Sequence, residues 1–172
     1  MAYNIIAESE EYTVLSEYQA EYRKVDHYES EAALEKAFIS MLEKQGYEYL
    51  QIHTEKDLVD NLRTQLEKLN KYHFTDSEWE RFFCNNIANR NEGIVEKSAK
   101  IQTDKVQILK RDTGGTKNIC LIDDKHLHEN SLQVINQYEE PGGTHEARYD
   151  VTILVNGLPL VHRELKRRGV QL

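Results

Sequence analysis

Two carboxylates and one lysine near the end of the chain have the chemistry needed for metal-dependent hydrolysis of a phosphodiester. Such hydrolysis needs a bound cation, a water molecule made nucleophilic near neutral pH, and positive charge at the phosphate. Asp150 and Glu164 offer the oxygen ligands that Mg²⁺ prefers, and Lys166 offers an ammonium group that can orient water and offset charge. Glu164 and Lys166 are two residues apart, so they share one face of a strand.

The face on which Asp150 lies depends on the register of the hairpin that turns at Asn156-Gly157. Side chains alternate along a strand, so a shift of one residue moves every side chain to the other face. A two-residue turn that pairs Val155 with Leu158 turns Asp150 away from Glu164. That register excludes a shared metal site.

A three-residue loop with a bulge has the opposite effect, because it pairs Leu154 with Leu158 and brings the three charged residues to one face. We predict this register, since it also creates a continuous apolar face for packing against helices. That face consists of Val151, Ile153, Val155, Val161 and Leu165.

Other residues have similar chemistry, and spacing alone leaves them open as alternatives. Asp123-Asp124-Lys125 also follows an apolar stretch and is preceded by Asp112. All of these charges can equally sit at strand ends in water. His126 and His128 lie in a polar loop, where histidines are more often solvated than metal-bound. Residues 112–117 lack the GxxxxGK[ST] phosphate-loop pattern, so they predict a hairpin turn instead.

Helical and extended patterns predict the elements that position these residues. Ser30, Thr54 and the Thr75-x-x-Glu78 capping box mark three helix starts. Helices are expected at 31–45, after Thr54, after Thr75 and at 94–101. Strands are expected at 47–52, 106–109, 118–122, 131–137, 149–155 and 158–166. Helices that precede strands predict an α/β or α+β core with a mixed sheet.

Composition fits a soluble globular domain of 172 residues with 39% hydrophobic and 30% charged residues. No apolar run is long enough to span a membrane, and the acidic N-terminus is unlike a signal peptide, which predicts a cytoplasmic protein. The net charge of −8 opposes nucleic-acid binding, but nine acids and two bases lie in residues 1–35. The remainder has 21 acids and 20 bases, so we expect weak DNA binding that partners must supplement.

Residues 148–161, RYDVTILVNGLPLV, followed by ELKRRG at 164–169, closely resemble the N-terminal nuclease region of type I restriction enzyme R subunits, and the type IC group in particular. The likeness continues upstream through short stretches near residues 30–35, 45–48, 77–79, 93–94 and 130–137, so it covers most of the chain.

The resemblance implies a PD-(D/E)xK restriction-endonuclease-like fold, with helices mostly N-terminal and flanking a mixed central sheet. Residues 29–172 would form the nuclease domain, preceded by an acidic, tyrosine-rich arm at 1–28. Asp150, Glu164 and the backbone carbonyl of Leu165 would hold Mg²⁺, and Lys166 would serve the attacking water. Glu35 matches an acidic helix position that faces the site in related nucleases.

The resemblance also implies cleavage of double-stranded DNA beside methyltransferase and specificity subunits, coupled to an ATP-driven motor. We expect this chain to be a piece of such a subunit, because it ends at Leu172 before any motor or Gln-x-x-x-Tyr motif. The ATP site would therefore lie outside it, and the piece alone could be inactive. Two alternatives stay open: a non-catalytic docking module of the R subunit, and a stand-alone repair-type nuclease.

Overall fold

The structure, a computed structural model, describes residues 30–140 and 147–166. Its helices are α1 (Glu31–Lys44), α2 (Glu55–Asn70), α3 (Asp76–Phe82), a π-helical turn (Phe83–Ile87), α4 (Ile94–Gln102) and a 3₁₀ turn (Leu127–Glu129). Its strands are β1 (Glu48–Tyr49), β2 (Val106–Lys110), β3 (Thr116–Cys120), β4 (Leu132–Glu140), β5 (Ala147–Val155) and β6 (Leu158–Arg163). None of the helices in this part of the chain is long and apolar enough to cross a membrane.

The predicted helix starts coincide with side-chain caps. The hydroxyls of Ser30 and Thr54 each accept the backbone N–H three residues further on. Thr75 and Glu78 form the predicted reciprocal capping box at the start of α3. Because the first-turn N–H groups have no partner within a helix, these hydroxyls and this carboxylate stabilise each start.

A four-stranded sheet forms in the order β1–β4–β5–β6. β1 runs parallel to β4, whereas the other neighbours are antiparallel, so the sheet is mixed as expected. The expected strand at 47–52 is only two residues long, because the chain leaves the sheet to begin α2 at Glu55. β2 and β3 form a separate antiparallel pair around the predicted turn at 112–116. The α+β architecture, with helices mostly N-terminal, is confirmed.

Helices cover both faces of this sheet. On one face, α1 packs in a cluster that contains Ile39, Leu42, Val134 and Val151. On the other face, Leu58 of α2 packs on a cluster that contains Ile52, Ile135, Tyr138 and Leu154. A third cluster joins α2 and α3 to the β2–β3 pair and to the start of β6; its buried members are Leu62, Leu66, Phe74, Trp79, Phe82, Leu109, Ile119, Leu121 and Leu158.

The turn between β5 and β6 differs from the prediction. Asn156 and Gly157 have φ angles of 51° and 80°, and Val155 pairs directly with Leu158. Two consecutive left-handed residues form a type I′ turn, which Asn-Gly adopts readily. The expected three-residue loop that pairs Leu154 with Leu158 is therefore wrong.

A register shift is nevertheless present, one step inside β6. Leu154 pairs with Pro159, but the next pair joins Ile153 to Val161. Leu160 is thus an extra residue, which is the definition of a β-bulge. Beyond the bulge, each residue of β6 pairs with a β5 residue on the opposite face from the one that it would otherwise meet. The bulge therefore has the effect that we had assigned to the loop.

The expected apolar face forms only in part. Val151, Ile153 and Leu165 pack in the α1 cluster as predicted. Val161 is 42% exposed, and its strand β6 is at the edge of the sheet that the described residues form. Val155 is half-buried.

The Asn156 side chain fixes the turn to the loop before β4. Its Oδ1 accepts the N–H of Ser131 at 2.8 Å, and its Nδ2 donates to the carbonyl of Leu121 at 3.0 Å and to Oδ1 of Asn130 at 2.8 Å. Asn156 is only 1% exposed, so losing these bonds would leave buried polar groups without partners. The closed end of the hairpin is therefore held rigidly.

Replacing Gly157 should test how closely the turn packs on α2. A Cβ at Gly157 would lie 2.6 Å from the Cα of Leu62, whereas a Cβ at Gly115, which has the same φ of 80°, would meet nothing within 4 Å. We expect Gly115→Ala to cost about 1–2 kcal/mol from the left-handed backbone alone. Gly157→Ala should cost a further amount of about 1–3 kcal/mol from overpacking.

Urea denaturation of both variants measures this difference in unfolding free energy. Equal destabilisation of Gly115→Ala and Gly157→Ala would mean that the contact with α2 is loose.

Candidate active site

The bulge brings Asp150 level with Glu164 at the open end of the β5–β6 hairpin. The last pair of the ladder joins Val151 to Arg163, and Asp150 and Glu164 are the next residues on either side. Beyond the ladder, Oδ2 of Asp150 accepts the N–H of Leu165 at 2.7 Å. This bond keeps the segment after β6 beside β5, although the expected strand through Lys166 ends at Arg163.

Leu165 anchors this segment in the core. Its side chain packs in the α1 cluster together with Val151. The residues on either side of it, Glu164 and Lys166, are exposed. An apolar residue held between two charged ones is what a half-buried extended segment requires.

Lys166 and Glu164 form an ion pair just beyond the end of β6, and their spacing of two residues predicted that they share one face. Nζ of Lys166 lies 2.6 Å from Oε1 of Glu164, and the two side chains are 47% and 65% exposed. The hydrogen bond and charge of Glu164 raise the pKa of Lys166 above its ordinary value, and the charges of Glu31 and Asp150 add to this shift. Lys166 is therefore an ammonium group at neutral pH.

Glu35 of α1 points to the end of β4. Its Oε1 accepts the side-chain N–H of Asn136 at 2.6 Å, and its Oε2 accepts that of Gln137 at 2.5 Å. The hydroxyl of Tyr49 donates to Oδ1 of Asn136 at 2.8 Å. Glu35 thus contacts β4 and is half-buried, one helical turn after Glu31, whose charge contributes to the raised pKa of Lys166.

Sequence reasoning missed the residues of β4 that border this region. Asn136 and Gln137 are consecutive polar residues in a strand, and nothing in the sequence indicates that both would contact one helix. Gln137 has a left-handed φ of 53°, which is uncommon for a residue other than glycine, asparagine or aspartate. Its conformation is not readable from the chain alone.

The second acidic cluster does not converge on a site. Asp112 accepts hydrogen bonds from Thr75 and Ser77 at the start of α3 and from Arg81 in its last turn. These bonds lower the pKa of Asp112 to about 2. Its backbone N–H in turn donates to Glu78, a carboxylate that is only 2% exposed. Asp112 therefore ties the β2–β3 turn to α3.

The neighbouring acids of this cluster also have local partners. Asp123 accepts the backbone N–H groups of Lys125 and His126, and Asp124 pairs with Lys105 at 2.9 Å. The rings of His126 and His128 are 6.3 Å apart. Within residues 30–140 and 147–166, no group of three or more His, Cys, Asp or Glu residues is arranged to hold a metal ion. The pair formed by Asp150 and Glu164 would need the Leu165 carbonyl, water or substrate to complete a coordination shell.

Comparison with known proteins places this chain in a family. Residues 28–172 match the family model described as Type I restriction enzyme R protein N terminus. That range includes the β5–β6 hairpin and α1. The chain belongs to this family. It is the N-terminal region of a type I restriction enzyme endonuclease (R) subunit.

Individual R-subunit relatives agree with this assignment. The chain is 45% identical over 168 residues to the type I restriction enzyme EcoprrI endonuclease subunit of Escherichia coli, covering 97% of this chain and 53% of the relative. It is 43% identical over 150 residues to the SsaAORF53P endonuclease subunit of Staphylococcus saprophyticus, covering 84% of this chain and 16% of the relative. The chain therefore spans about half or less of these relatives.

Asp112 provides a pH test of its structural role in this R-subunit region. Its pKa is about 2 in the folded chain and ordinarily 3.8, so its contribution to stability is full above about pH 4 and is lost as the pH falls through 2. We expect Asp112→Asn to unfold at lower urea concentration than the parent at pH 7. The difference should narrow steadily below about pH 4.

Urea titrations at several pH values between 7 and 3 measure this trend. A difference that stays constant over that range would mean that the Asp112 carboxylate is not the group responsible.

Proposed function

We propose that this chain is the Mg²⁺-dependent endonuclease domain of its R subunit and hydrolyses phosphodiesters of double-stranded DNA. The observation that carries the proposal is that Asp150 and Glu164 directly follow the last β5–β6 pair, Val151–Arg163, while the ammonium group of Lys166 lies 2.6 Å from Glu164. The endonuclease names of the relatives support the same reaction class. The three residues come from one hairpin, so a single folding unit supplies the whole group.

The donor set fits Mg²⁺. Asp150 and Glu164 offer carboxylate oxygens, the backbone of Leu165 offers a carbonyl oxygen, and Mg²⁺ prefers such ligands while it keeps several waters. The Glu164 side chain is 65% exposed, so ions and substrate can reach it. When bound, the ion supplies positive charge to the phosphate and lowers the pKa of water.

Lys166 has two roles in this proposal. As a protonated amine it donates hydrogen bonds, so it orients the attacking water toward the phosphorus. Its charge also offsets the negative charge that develops on the phosphate oxygens in the transition state. Because Glu164 raises the pKa of Lys166, the amine keeps its proton near neutral pH and acts by charge and orientation.

Other parts of the restriction complex would deliver the DNA. The chain has a net charge of −8, and residues 36–172 are nearly balanced, so it has little phosphate affinity of its own. We propose that the methyltransferase and specificity subunits hold the target and that an ATP-driven motor in the rest of the R subunit moves it. The cytoplasm, where such DNA is found, would be the site of action.

Substitutions at the hairpin test this function in the complete R subunit assembled with its partners. Asp150→Asn keeps an oxygen that can accept the N–H of Leu165 but removes the charge, and Lys166→Ala removes the ammonium group. We expect each to reduce DNA cleavage by about 100-fold or more, the loss that follows removal of one charge-stabilising group. ATP hydrolysis should continue at the parent rate.

Asp124→Asn is the matched control, because Asp124 belongs to the second acidic cluster and pairs with Lys105 on the surface. It should cut DNA normally. If Asp150→Asn also cuts normally while ATP turnover is unchanged, the hairpin is not the cleavage site. The docking-module alternative predicts that outcome.

A further inference from the structure

β2 and β3 form a two-stranded ribbon that is separate from the main sheet. The inner face of the ribbon carries Leu109 and Ile119, which are buried in the cluster with α2 and α3. Its turn, residues 111–115, is exposed, and so are Ile108 and Lys110 on the outer face. The ribbon is therefore anchored by one face and presents its turn to solvent.

Positive charge is concentrated on this ribbon. Residues 105–118 contain four bases and one acid, whereas residues 36–172 as a whole are nearly balanced. The acid is Asp112, which accepts hydrogen bonds from Arg81 and from two hydroxyls at the start of α3. Because these bonds direct the carboxylate toward α3, the groups that the turn presents to solvent are mostly cations and hydrogen-bond donors.

Two of the cations lie against one tyrosine ring. Nζ of Lys117 is 5.1 Å and Cζ of Arg111 is 5.9 Å from the ring centroid of Tyr72. A ring attracts a cation but does not neutralise its charge. The buried Glu78 carboxylate bonds instead to the Tyr72 hydroxyl and to two backbone N–H groups. In residues 30–140 and 147–166, Lys110, Arg111 and Lys117 form no salt bridge.

A groove of about 340 Å³ adjoins the ribbon beside Lys110. It lies between β2 and the π-helical turn, and its polar lining also includes Arg81, Asn85 and Asn86. None of the described residues that line it is acidic. π-helical turns are rare and occur frequently at functional sites. Lysine, arginine and asparagine side chains are typical donors to DNA phosphates, so the groove continues the chemistry of the turn.

The composition of the turn favours a nucleic acid over an acidic protein surface. Residues 110–118, KRDTGGTKN, are all polar or glycine, whereas protein–protein interfaces have an apolar or aromatic core. The exposed apolar residues of the ribbon, Val106 and Ile108, precede this stretch. A Cβ at Gly114 or Gly115 would meet nothing within 4 Å, so the backbone of the turn is open to close approach.

We propose that the ribbon is a second DNA-contact surface, in which Lys110, Arg111 and Lys117, here called the ribbon patch, bind phosphates of the DNA backbone. The inference rests on the proposed function, which makes DNA the substrate. Phosphate contacts carry no sequence information, so the ribbon patch holds DNA of any sequence. Three contacts give weak affinity, in agreement with the nearly balanced charge of residues 36–172.

The ribbon patch is distinct from the candidate cleavage site. The ribbon packs beside Leu158 at the closed end of the β5–β6 hairpin, whereas Asp150 lies at the open end. Six steps along the chain separate Asp150 from Asn156 at the turn, which corresponds to about 20 Å of extended strand. Binding by the ribbon and cleavage at the hairpin can therefore be altered independently.

The salt dependence of DNA binding tests the ribbon patch. Each phosphate contact releases counterions, so the logarithm of the association constant falls against the logarithm of salt concentration by about 0.9 per contact. The triple variant Lys110→Ala, Arg111→Ala, Lys117→Ala should have a slope that is less steep by about 2.7. Fluorescence anisotropy of a labelled duplex measures the slope, with the 172-residue chain, no divalent cation and about 50–200 mM salt.

A second triple variant is the matched control. Lys36→Ala, Lys44→Ala and Lys56→Ala remove three exposed lysines of α1 and α2, so the net charge changes by the same amount. We expect the control to keep the slope of the parent. Equal slopes in the two triple variants would overturn the inference, because overall charge would then explain the binding.

Lys110→Ala alone keeps the test decisive if the triple variant fails to fold, which urea denaturation would reveal. The Lys110 side chain is exposed, and within the described residues it forms no hydrogen bond or salt bridge, so its removal should leave the fold intact. Its slope should be less steep by about 0.9. A slope equal to that of the parent would count against the ribbon patch.

An acidic protein surface is the competing occupant, and it predicts a different result. The ribbon variant would then bind DNA with the slope of the parent but would assemble poorly with the methyltransferase and specificity subunits. Sedimentation of the assembled complex measures this assembly. That combination would overturn the inference.

Asp150→Asn distinguishes failure of the ribbon patch from failure of the proposed function. If the ribbon variant keeps the slope of the parent while Asp150→Asn abolishes cleavage in the assembled enzyme, only the ribbon patch is wrong. If the ribbon variant has the less steep slope while Asp150→Asn cuts normally, the ribbon binds DNA and the assignment of the cleavage site is wrong.

Discussion

Strand alternation is the constraint on which the candidate active site depends. Side chains alternate between the two faces of a strand. Two acids on neighbouring strands therefore meet only if the pairing register puts both on the same face of the sheet. With the Asn156–Gly157 turn and no bulge, Asp150 and Glu164 would lie on opposite faces. Leu160, the extra residue of β6, corrects this and brings Asp150 level with Glu164. The bulged residue therefore sets which residues of β5 and β6 stand across from each other at the open end of the hairpin.

The open end of the hairpin is polar and exposed, so its geometry must be set from elsewhere. The closed end is fixed by the buried Asn156 amide and by the close approach of Gly157 to α2. Near the open end, Leu165 packs under α1 and its N–H bonds to Asp150. The charged residues are therefore held by buried neighbours on the same strands. This division leaves the carboxylates accessible without leaving them loosely placed.

Identical residue types have different roles in this chain because their neighbours differ. Asp112 is surrounded by hydroxyls and a guanidinium, which satisfy its charge and make it a structural link between α3 and the β2–β3 turn. Asp150 instead stands across from another acid, and such a pair is unfavourable unless positive charge is nearby. Lys166 provides part of that charge. The proposed divalent cation would provide the rest, which is the physical reason for proposing it at this pair and not at Asp112.

The sequence by itself determined the local features of this protein. Helix starts at Ser30, Thr54 and Thr75 follow from hydroxyls that bond to groups a few residues away, and the mixed α+β class follows from the order of helical and extended patterns. The spacing of Glu164 and Lys166 likewise predicted that the two residues share one face. These are short-range effects, so residue types and distances along the chain suffice to predict them.

Only the tertiary structure decided how the strands meet. A shared site for Asp150 and Glu164 required a register shift somewhere in the hairpin, but the sequence could not locate that shift. It lies at Leu160, which packs beside Leu158 against the α2 cluster. Nor could it reveal the left-handed Gln137 or its bond to Glu35, 102 positions away. Local preference opposes that conformation, and contacts between α1 and β4 override it.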